Sequence, residues 1–573
     1  MSITTASRAV QLVSRVFDVR TSTEPFLSTR IEKTALPIRP SAKPLPRATP
    51  ESQGIPSRHI QTFLEAMGQN EDLGTQEVLI LRNGKLLAAA SYGGQLLDAP
   101  KYTFSACKSI VSLAIGLLVD DGILALDEKL TDIFSDLSGK VSWLRLKDMT
   151  VEHLLTMEAG VLFAEGEAMV EADWIRSFLN SPVSGDPGEE FFYNSLNTHM
   201  LAAIVRRKTG RPMLELLKTR LFDPMGITDI LWEKGPDGIE KGGWGLYIRP
   251  EDMAKLGQLV MDNGVYEGQQ LISSAYLESA TTPHAHPAPE MGDFNYGYQI
   301  WIGRRENTFL FNGMLGQNIY GFRDSGVLLV THAGLNSDFQ QSHYYEMASR
   351  WFGGHFPQEL PPDESAFDAL QEAIHGFSDY SREALPLDDH ALPFLDRSFT
   401  PIQDHAVSVG LLPVALQALY NCYTQGVTSI AVSSRGGEPE LIYQEKDAIY
   451  RFPVGLGRPK LVELDVRGNV FTVAAQGRFT HDEDLRPVFV VKLEFLETPC
   501  TRILKLVLTG DGLLLREREI PGVPYVYQKL CDVAQSALYR TLMSKALGGT
   551  DRDFLMFKTL QLLSPDLRFK CSD

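Results

Sequence analysis

The chain has 573 residues, too many for one ordinary domain and enough to bury large cores. Its composition, 44% hydrophobic and 22% charged, is that of a globular protein, and a net charge of −18 disfavours nucleic acid or an anionic membrane surface as the main partner. Five scattered cysteines are no disulfide framework and fit a reducing, cytoplasmic setting, and no apolar run has the length of a membrane span.

Residues 1–47 carry eight Lys or Arg against three Asp or Glu, and Val10, Val13 and Phe17 would share one helix face. No secretory apolar block is present there. An organelle transit peptide and an arm packed on the main domain are the two readings of this stretch. Residues 34–50 are Pro-rich and read as an extended linker. A globular pattern begins near 51, with a helix over 57–68 and two strands joined by the hairpin turn Asn83-Gly84. The stretch TFSACKSIVSLAIGLLVDDG, 103–122, predicts a helix that starts at or just before Ser105 and is apolar all round, hence buried. A helix over 150–160 closes at Gly160, and a long connection, 161–190, holds Trp174 and Phe178. A second apolar helix, 191–210, begins near Tyr193 and stops at Gly210. A turn around 221–232 and a Gly-rich turn from 242 lead to an amphipathic helix started near Pro250. Three strands are expected at 294–303, 307–322 and 326–333, as an antiparallel meander.

The texture changes near 355–365. Helices are expected at 366–377 and 409–424, strands from 427 to 518, and closing helices over 524–562. The resulting division is an arm and linker over 1–50, a first domain over 51–355 and a β-rich part, a sheet or partial barrel, over 366–573.

Ser105 and Lys108 carry the chemistry. Residues three apart share a helix face, so both point the same way at the start of a buried helix, as a nucleophile and its base require. The helix N-terminus offers free N–H groups to a developing oxyanion. Cys107 lies about 200° around the helix from Ser105 and reads as a small buried residue. Tyr193, after a Pro-Gly turn, could project its hydroxyl into a cleft and pass a proton on. His284-Ala285-His286 lacks the further ligand spacing of a metal hydrolase, and neither G-x-S-x-G, a P-loop nor G-x-G-x-x-G occurs. No metal and no cofactor is therefore expected.

Four segments in order extend this reading: SACK at 105–108, MTVEHLLTM at 149–157, PGEEFFYNS at 187–195 and GGWGLYIRPEDMAKLG at 242–257. Together they resemble the serine β-lactamase and penicillin-binding superfamily in its class C-like esterase branch, and YNS with GMLGQ looks most like the aminohexanoate-oligomer hydrolases. The resemblance covers about 51–345. It implies an α+β fold, an antiparallel sheet flanked by an all-helical cluster, with Ser105 acylated and Lys108 and Tyr193 as base and proton relay. It implies an oxyanion hole made by the N–H groups of Ser105 and Met314, the latter after Phe311-Asn312-Gly313, which match the family's K-T-G or H-x-G. Trp174, Asn194, Phe311, Asn312 and Gly313 are the expected substrate-side residues.

Two positions depart from the pattern. The family's Y-x-N would place Asn where this chain has Ser195, with Asn194 one early, and Phe311 stands where a Lys or His normally holds a substrate carboxylate. The second departure argues against β-lactams or cell-wall peptides. The expected activity is hydrolysis of small esters or amides. The alternatives are a catalytically silent member working as a scaffold and a β-lactamase or D-Ala peptidase.

Overall fold

A computed structural model describes residues 33–572, except 138–143, 145, 164, 169–170, 336–341, 403–408, 447, 511 and 536–550. The basic stretch with Val10, Val13 and Phe17 lies outside the described residues, as does the middle of the expected closing helices. Among the described residues, no helix is long and apolar enough to cross a membrane.

The first sheet is built from β1 (Thr75–Arg82), β2 (Lys85–Ser91), β3 (Asn295–Tyr296), β4 (Trp301–Ile302), β5 (Thr308–Gly313), β6 (Gln317–Phe322) and β7 (Val327–Ala333). Its order is β2-β1-β7-β6-β5-β4-β3, antiparallel throughout. Asn83 and Gly84 both take positive φ, 50° and 74°, the conformation that a two-residue hairpin demands. The stretch expected as one strand over 307–322 is a hairpin. Leu315 and Gly316, at φ 65° and 95°, turn the chain between β5 and β6. Apolar Met314 and Leu315 in the turn hide it from a reading by hydrophobicity.

Both faces of this sheet are covered, so its central strands are buried at every position, and the polar residues they carry, such as Asn312, Gln317, Asn318 and His332, are buried as well. Phe309, Phe311, Ile319, Leu328 and Val330 point to one side. They meet α2 (Cys107–Asp120), α3 (Ser195–Thr209) and α4 (Pro250–Met261) there. Leu310, Tyr320, Val327 and Leu329 point to the other, where α1 (Ser57–Gln69) and the helix His343–Phe352 pack. Helix α2 is buried over Cys107–Leu118, which explains its apolar text. Helix α4 starts with Pro250 and an acidic first turn, Glu251 and Asp252, the residues that suit a helix N-terminus.

Helix α5 (Glu364–Phe377), expected to open the C-terminal part, instead covers the first sheet. Its Leu370 shares a core with Phe63 of α1 and Leu87 of β2. The chain enters the second sheet at β8 (Arg397–Pro401). It continues through β9 (Val427–Arg435), β10 (Glu438–Glu445), β11 (Ile449–Pro453), β12 (Gly455–Leu456), β13 (Lys460–Val466), β14 (Asn469–His481), β15 (Pro487–Phe495), β16 (Thr501–Thr509), β17 (Gly512–Ile520) and β18 (Asp566–Ser572). The order is β11-β10-β9-β8-β18-β17-β16-β15-β14-β12, with β13 also on β14, and the sheet curves into a near-barrel. Strand β18 was not expected. It follows the last helix, Arg552–Leu563, and inserts between β8 and β17.

The Pro-rich segment is a strap rather than a free linker. Lys33 Nζ, buried, pairs with Glu497 at 2.9 Å and donates to the Val470 carbonyl in the second sheet. Further along, Ser41 Oγ donates to Asp252 at 2.6 Å and accepts from Lys255 at 2.7 Å, both on α4. The strap therefore ties the second sheet to the helical layer that carries the site.

Candidate active site

The short strand Lys101–Tyr102 pairs with Leu246–Ile248 and delivers the chain into a single 3₁₀ turn, Phe104–Ala106, which runs straight into α2. Phe104 sits at φ +47°, a left-handed conformation that costs a bulky residue about 1–3 kcal/mol and persists only when its surroundings hold it. Tyr102 holds it edge-on at 4.6 Å between ring centres, and Phe104 packs on the core of the second sheet. Ser105 follows at the point where the chain turns, half-buried. The end of β5 lies flat against this turn: a Cβ on Gly313 would stand 2.2 Å from the Thr103 carbonyl oxygen. Only glycine permits that approach, and it brings the backbone of Met314, the next residue, beside the Ser105 turn.

Lys108, one turn into the helix, is almost fully buried. Its Nζ donates to Ser105 Oγ at 2.8 Å, Ser195 Oγ at 2.8 Å and the Gly243 carbonyl at 2.7 Å. Three oxygens thus surround the nitrogen within hydrogen-bond distance and fix its position. Ser195 is the first residue of α3. Gly243 lies in the Gly-rich turn before α4, and its hydrogen at Cα faces Ser195: a Cβ there would be 2.5 Å from Ser195 Cβ. The ring of Tyr193 stands over the ammonium, centroid 4.9 Å from Nζ, and stacks on Trp301 at 5.7 Å. The structure places Ser105, Ser195 and the Tyr193 ring around Lys108 Nζ. The signal for Ser195 was in the sequence, at the third position of YNS, where it read only as a departure from Asn.

The expected substrate-side residues lie elsewhere. Phe311 is fully buried in the core between the sheet and α2 and shows no surface to a ligand. Asn312 points to the opposite face, where its amide donates to Asn318 and to the Tyr345 hydroxyl, both at 2.6 Å. Gly313 makes the close backbone approach described above. Trp174 is core, its indole N–H bonded to the carbonyls of Ala168 and Glu171 and its ring 5.3 Å from Trp244. Asn194 is the buried N-cap of α3. Its Oδ1 accepts from the Leu196 N–H, and its amide donates to the carbonyls of Val161 and Phe163, fixing the 161–163 loop on the helix. Apolar bulk or hydrogen bonds draw Phe311, Trp174, Asn312 and Asn194 inside. His284 stacks on Tyr298, and His286 bonds to Asn295.

Cys107 faces away from Ser105. Its Sγ lies 3.2 Å from the Gly242 carbonyl, and burial pushes its thiol up to about 12. A thiolate is therefore scarce at neutral pH. Cys107→Ala is expected to keep kcat/KM within about threefold, since it removes one small buried group and no proton carrier. Folded protein should also resist maleimide at pH 8 at this position, as read by peptide mapping.

The sequence model of the beta-lactamase family matches residues 60–347, just over half of the chain. The chain belongs to the beta-lactamase family. As a member it is a serine hydrolase, and its antiparallel sheet with flanking helices is the family's architecture. It is 25% identical over 304 residues to the 6-aminohexanoate-dimer hydrolase of Paenarthrobacter ureafaciens, covering 48% of this chain and 76% of that one. It is 29% identical over 161 residues to the lovastatin esterase of Penicillium rubens, covering 24% of this chain and 40% of that one. Among solved structures, a penicillin binding protein from Bacillus halodurans aligns over 55% of this chain and 98% of its own, at 19% identity and a TM-score of 0.39.

Proposed function

We propose that this family member cleaves small esters or amides through an acyl-enzyme on Ser105. The observation that carries the reading is the 2.8 Å contact between Ser105 Oγ and a Lys108 amine held on all sides at the head of a buried helix. A hydroxyl is a poor nucleophile until its proton has somewhere to go. Acting as the base, Lys108 Nζ takes that proton as Oγ attacks the carbonyl carbon. The oxyanion that develops is met by the N–H groups of Ser105 and Met314, two backbone donors from neighbouring turns that the close approach of Gly313 to Thr103 brings side by side. Water then cleaves the acyl-enzyme by the reverse sequence. The Tyr193 ring over Nζ stabilises the ammonium formed in each half-reaction.

The substrate class rests on two points. Relatives named for an amide substrate and for an ester substrate both match the chain. Phe311, where the family places a cation, is an apolar ring sealed in the core, so nothing at that position holds a substrate carboxylate. Purified protein is expected to take up one fluorophosphonate per chain, on Ser105, by intact mass and peptide mapping. It should hydrolyse short-chain p-nitrophenyl esters and small anilides at least about 10²-fold faster in kcat/KM than nitrocefin or a D-Ala-D-Ala peptide, the gap a missing charged contact leaves. Efficient penicillin turnover overturns the substrate class. Absence of both labelling and turnover overturns the enzyme reading in favour of a binding scaffold.

A further inference from the structure

Resting on the acyl-enzyme reading, we infer that Ser195 is the group that hands the proton to the leaving group. The hydrogen-bond inventory around Lys108 carries this. A carbonyl oxygen only accepts, so one N–H of Lys108 is always committed to Gly243. The neutral amine then has one N–H and one lone pair left for two hydroxyls, Ser105 and Ser195. Attack requires the lone pair to face Ser105. The remaining N–H therefore points at Ser195 Oγ, and Ser195 accepts with its oxygen while its own hydrogen is turned elsewhere.

The separation suits the task. Two oxygens 2.8 Å from one tetrahedral nitrogen stand about 4.6 Å apart. A leaving atom on the carbon attacked by Ser105 lies about 2.4 Å from Ser105 Oγ, so it can approach Ser195 Oγ to hydrogen-bond distance, about 2.8 Å. The transfer balances. The Ser105 proton moves to Lys108 Nζ as the Oγ–carbon bond forms. Lys108 then gives a proton to Ser195 Oγ while the Ser195 hydrogen passes to the departing oxygen or nitrogen as its bond to carbon breaks. Lys108 ends neutral, Ser195 ends as a hydroxyl, and Ser105 carries the acyl group. In deacylation the same three groups run the transfer backwards from water.

Tyr193, the alternative carrier, presents its ring to Nζ, and among the described residues its hydroxyl makes no hydrogen bond to the Ser–Lys pair. An Asn in place of Ser195 could accept from Lys108 through its oxygen but could not receive and pass a proton on that atom. Ser195→Asn therefore separates holding Lys108 from relaying a proton.

The test varies the leaving group. A p-nitrophenolate departs without a proton, whereas an alkoxide or an amide nitrogen needs one. Ser195→Ala and Ser195→Asn are expected to lose about tenfold in kcat on p-nitrophenyl butyrate and about 10³-fold on ethyl butyrate and butyranilide. Ser195→Thr, which restores a hydroxyl, should recover most of the ester and anilide rate. Tyr193→Phe should lose similar factors on all three substrates. Fluorophosphonate labelling of Ser105 should persist in every Ser195 variant, and its loss would indict the acyl-enzyme itself rather than the relay. Equal losses across leaving groups in both Ser195 variants, no loss in either, or leaving-group dependence in Tyr193→Phe alone would each overturn the assignment.

Discussion

Ser105→Ala is expected to abolish fluorophosphonate labelling and to lower kcat on p-nitrophenyl butyrate by at least about 10⁵-fold, while Lys108→Met costs about 10⁴-fold. The first removes the atom that becomes acylated. The second removes the only nitrogen within hydrogen-bond reach of Ser105 Oγ among the described residues, so the Ser105 proton must go to water. The double variant should be no worse than Ser105→Ala alone, since groups that act as one unit are not additive. Stability should separate the two. Ser105 is half-buried and its loss should be nearly neutral. Lys108 satisfies Ser195 and the buried Gly243 carbonyl, and its loss leaves them unpaired, at about 1–3 kcal/mol, read by urea unfolding. Turnover that survives in Ser105→Ala and is blocked by a thiol reagent would sink the assignment.

Gly243→Ala is the second large effect, and it works by displacement. The added methyl carbon would fall 2.5 Å from Ser195 Cβ and 2.6 Å from the Ser195 carbonyl oxygen. Neither can yield: Ser195 N–H donates to Glu165 at 3.0 Å, and the adjacent Asn194 is bound to the 161–163 loop and to the helix. The Gly243 turn must move instead, taking its carbonyl off Lys108. A shift of about 1 Å in a group that orients the base is enough for about 10²-fold in kcat. Overpacking should add about 1–3 kcal/mol of lost stability. Gly376→Ala in α5, where nothing stands within 4 Å of the new carbon, is the control and should be neutral or slightly stabilising. Unchanged kcat in Gly243→Ala would show that the carbonyl does not orient Lys108.

Much of this site is written locally. The Ser105–Lys108 pair follows from helix periodicity, the start of α4 from Pro250, and the first hairpin from Asn83-Gly84. Asn194 also had a local reading, as an N-cap two residues before the N–H it accepts from, and the resemblance to Y-x-N drew attention away from it. What the sequence hid was made by distant contacts. Ser195 meets Lys108 across 87 residues, and Lys33 meets Glu497 across 464. Strand β18 reads as an ordinary polar tail until β8 and β17 are in place beside it. The Met314–Gly316 turn carries apolar side chains and so imitates the strands it joins.

The strained residue before Ser105 is held from outside the first sheet and its helices. Two residues ahead of Phe104, the Tyr102 N–H donates to the Glu497 carbonyl at 2.8 Å, and Lys101 Nζ reaches the Leu496 carbonyl. Tyr102 itself lies in the core of the second sheet with Tyr420, Phe471 and Phe495, and Trp244, next to Gly243, packs on both cores. The near-barrel is thus the mould in which the reactive turn is cast. A residue such as Phe471, remote in sequence from Ser105, thereby shares the core on which the turn before Ser105 rests. A repacking of that core is therefore felt at the Ser105 turn through Tyr102 and Phe104.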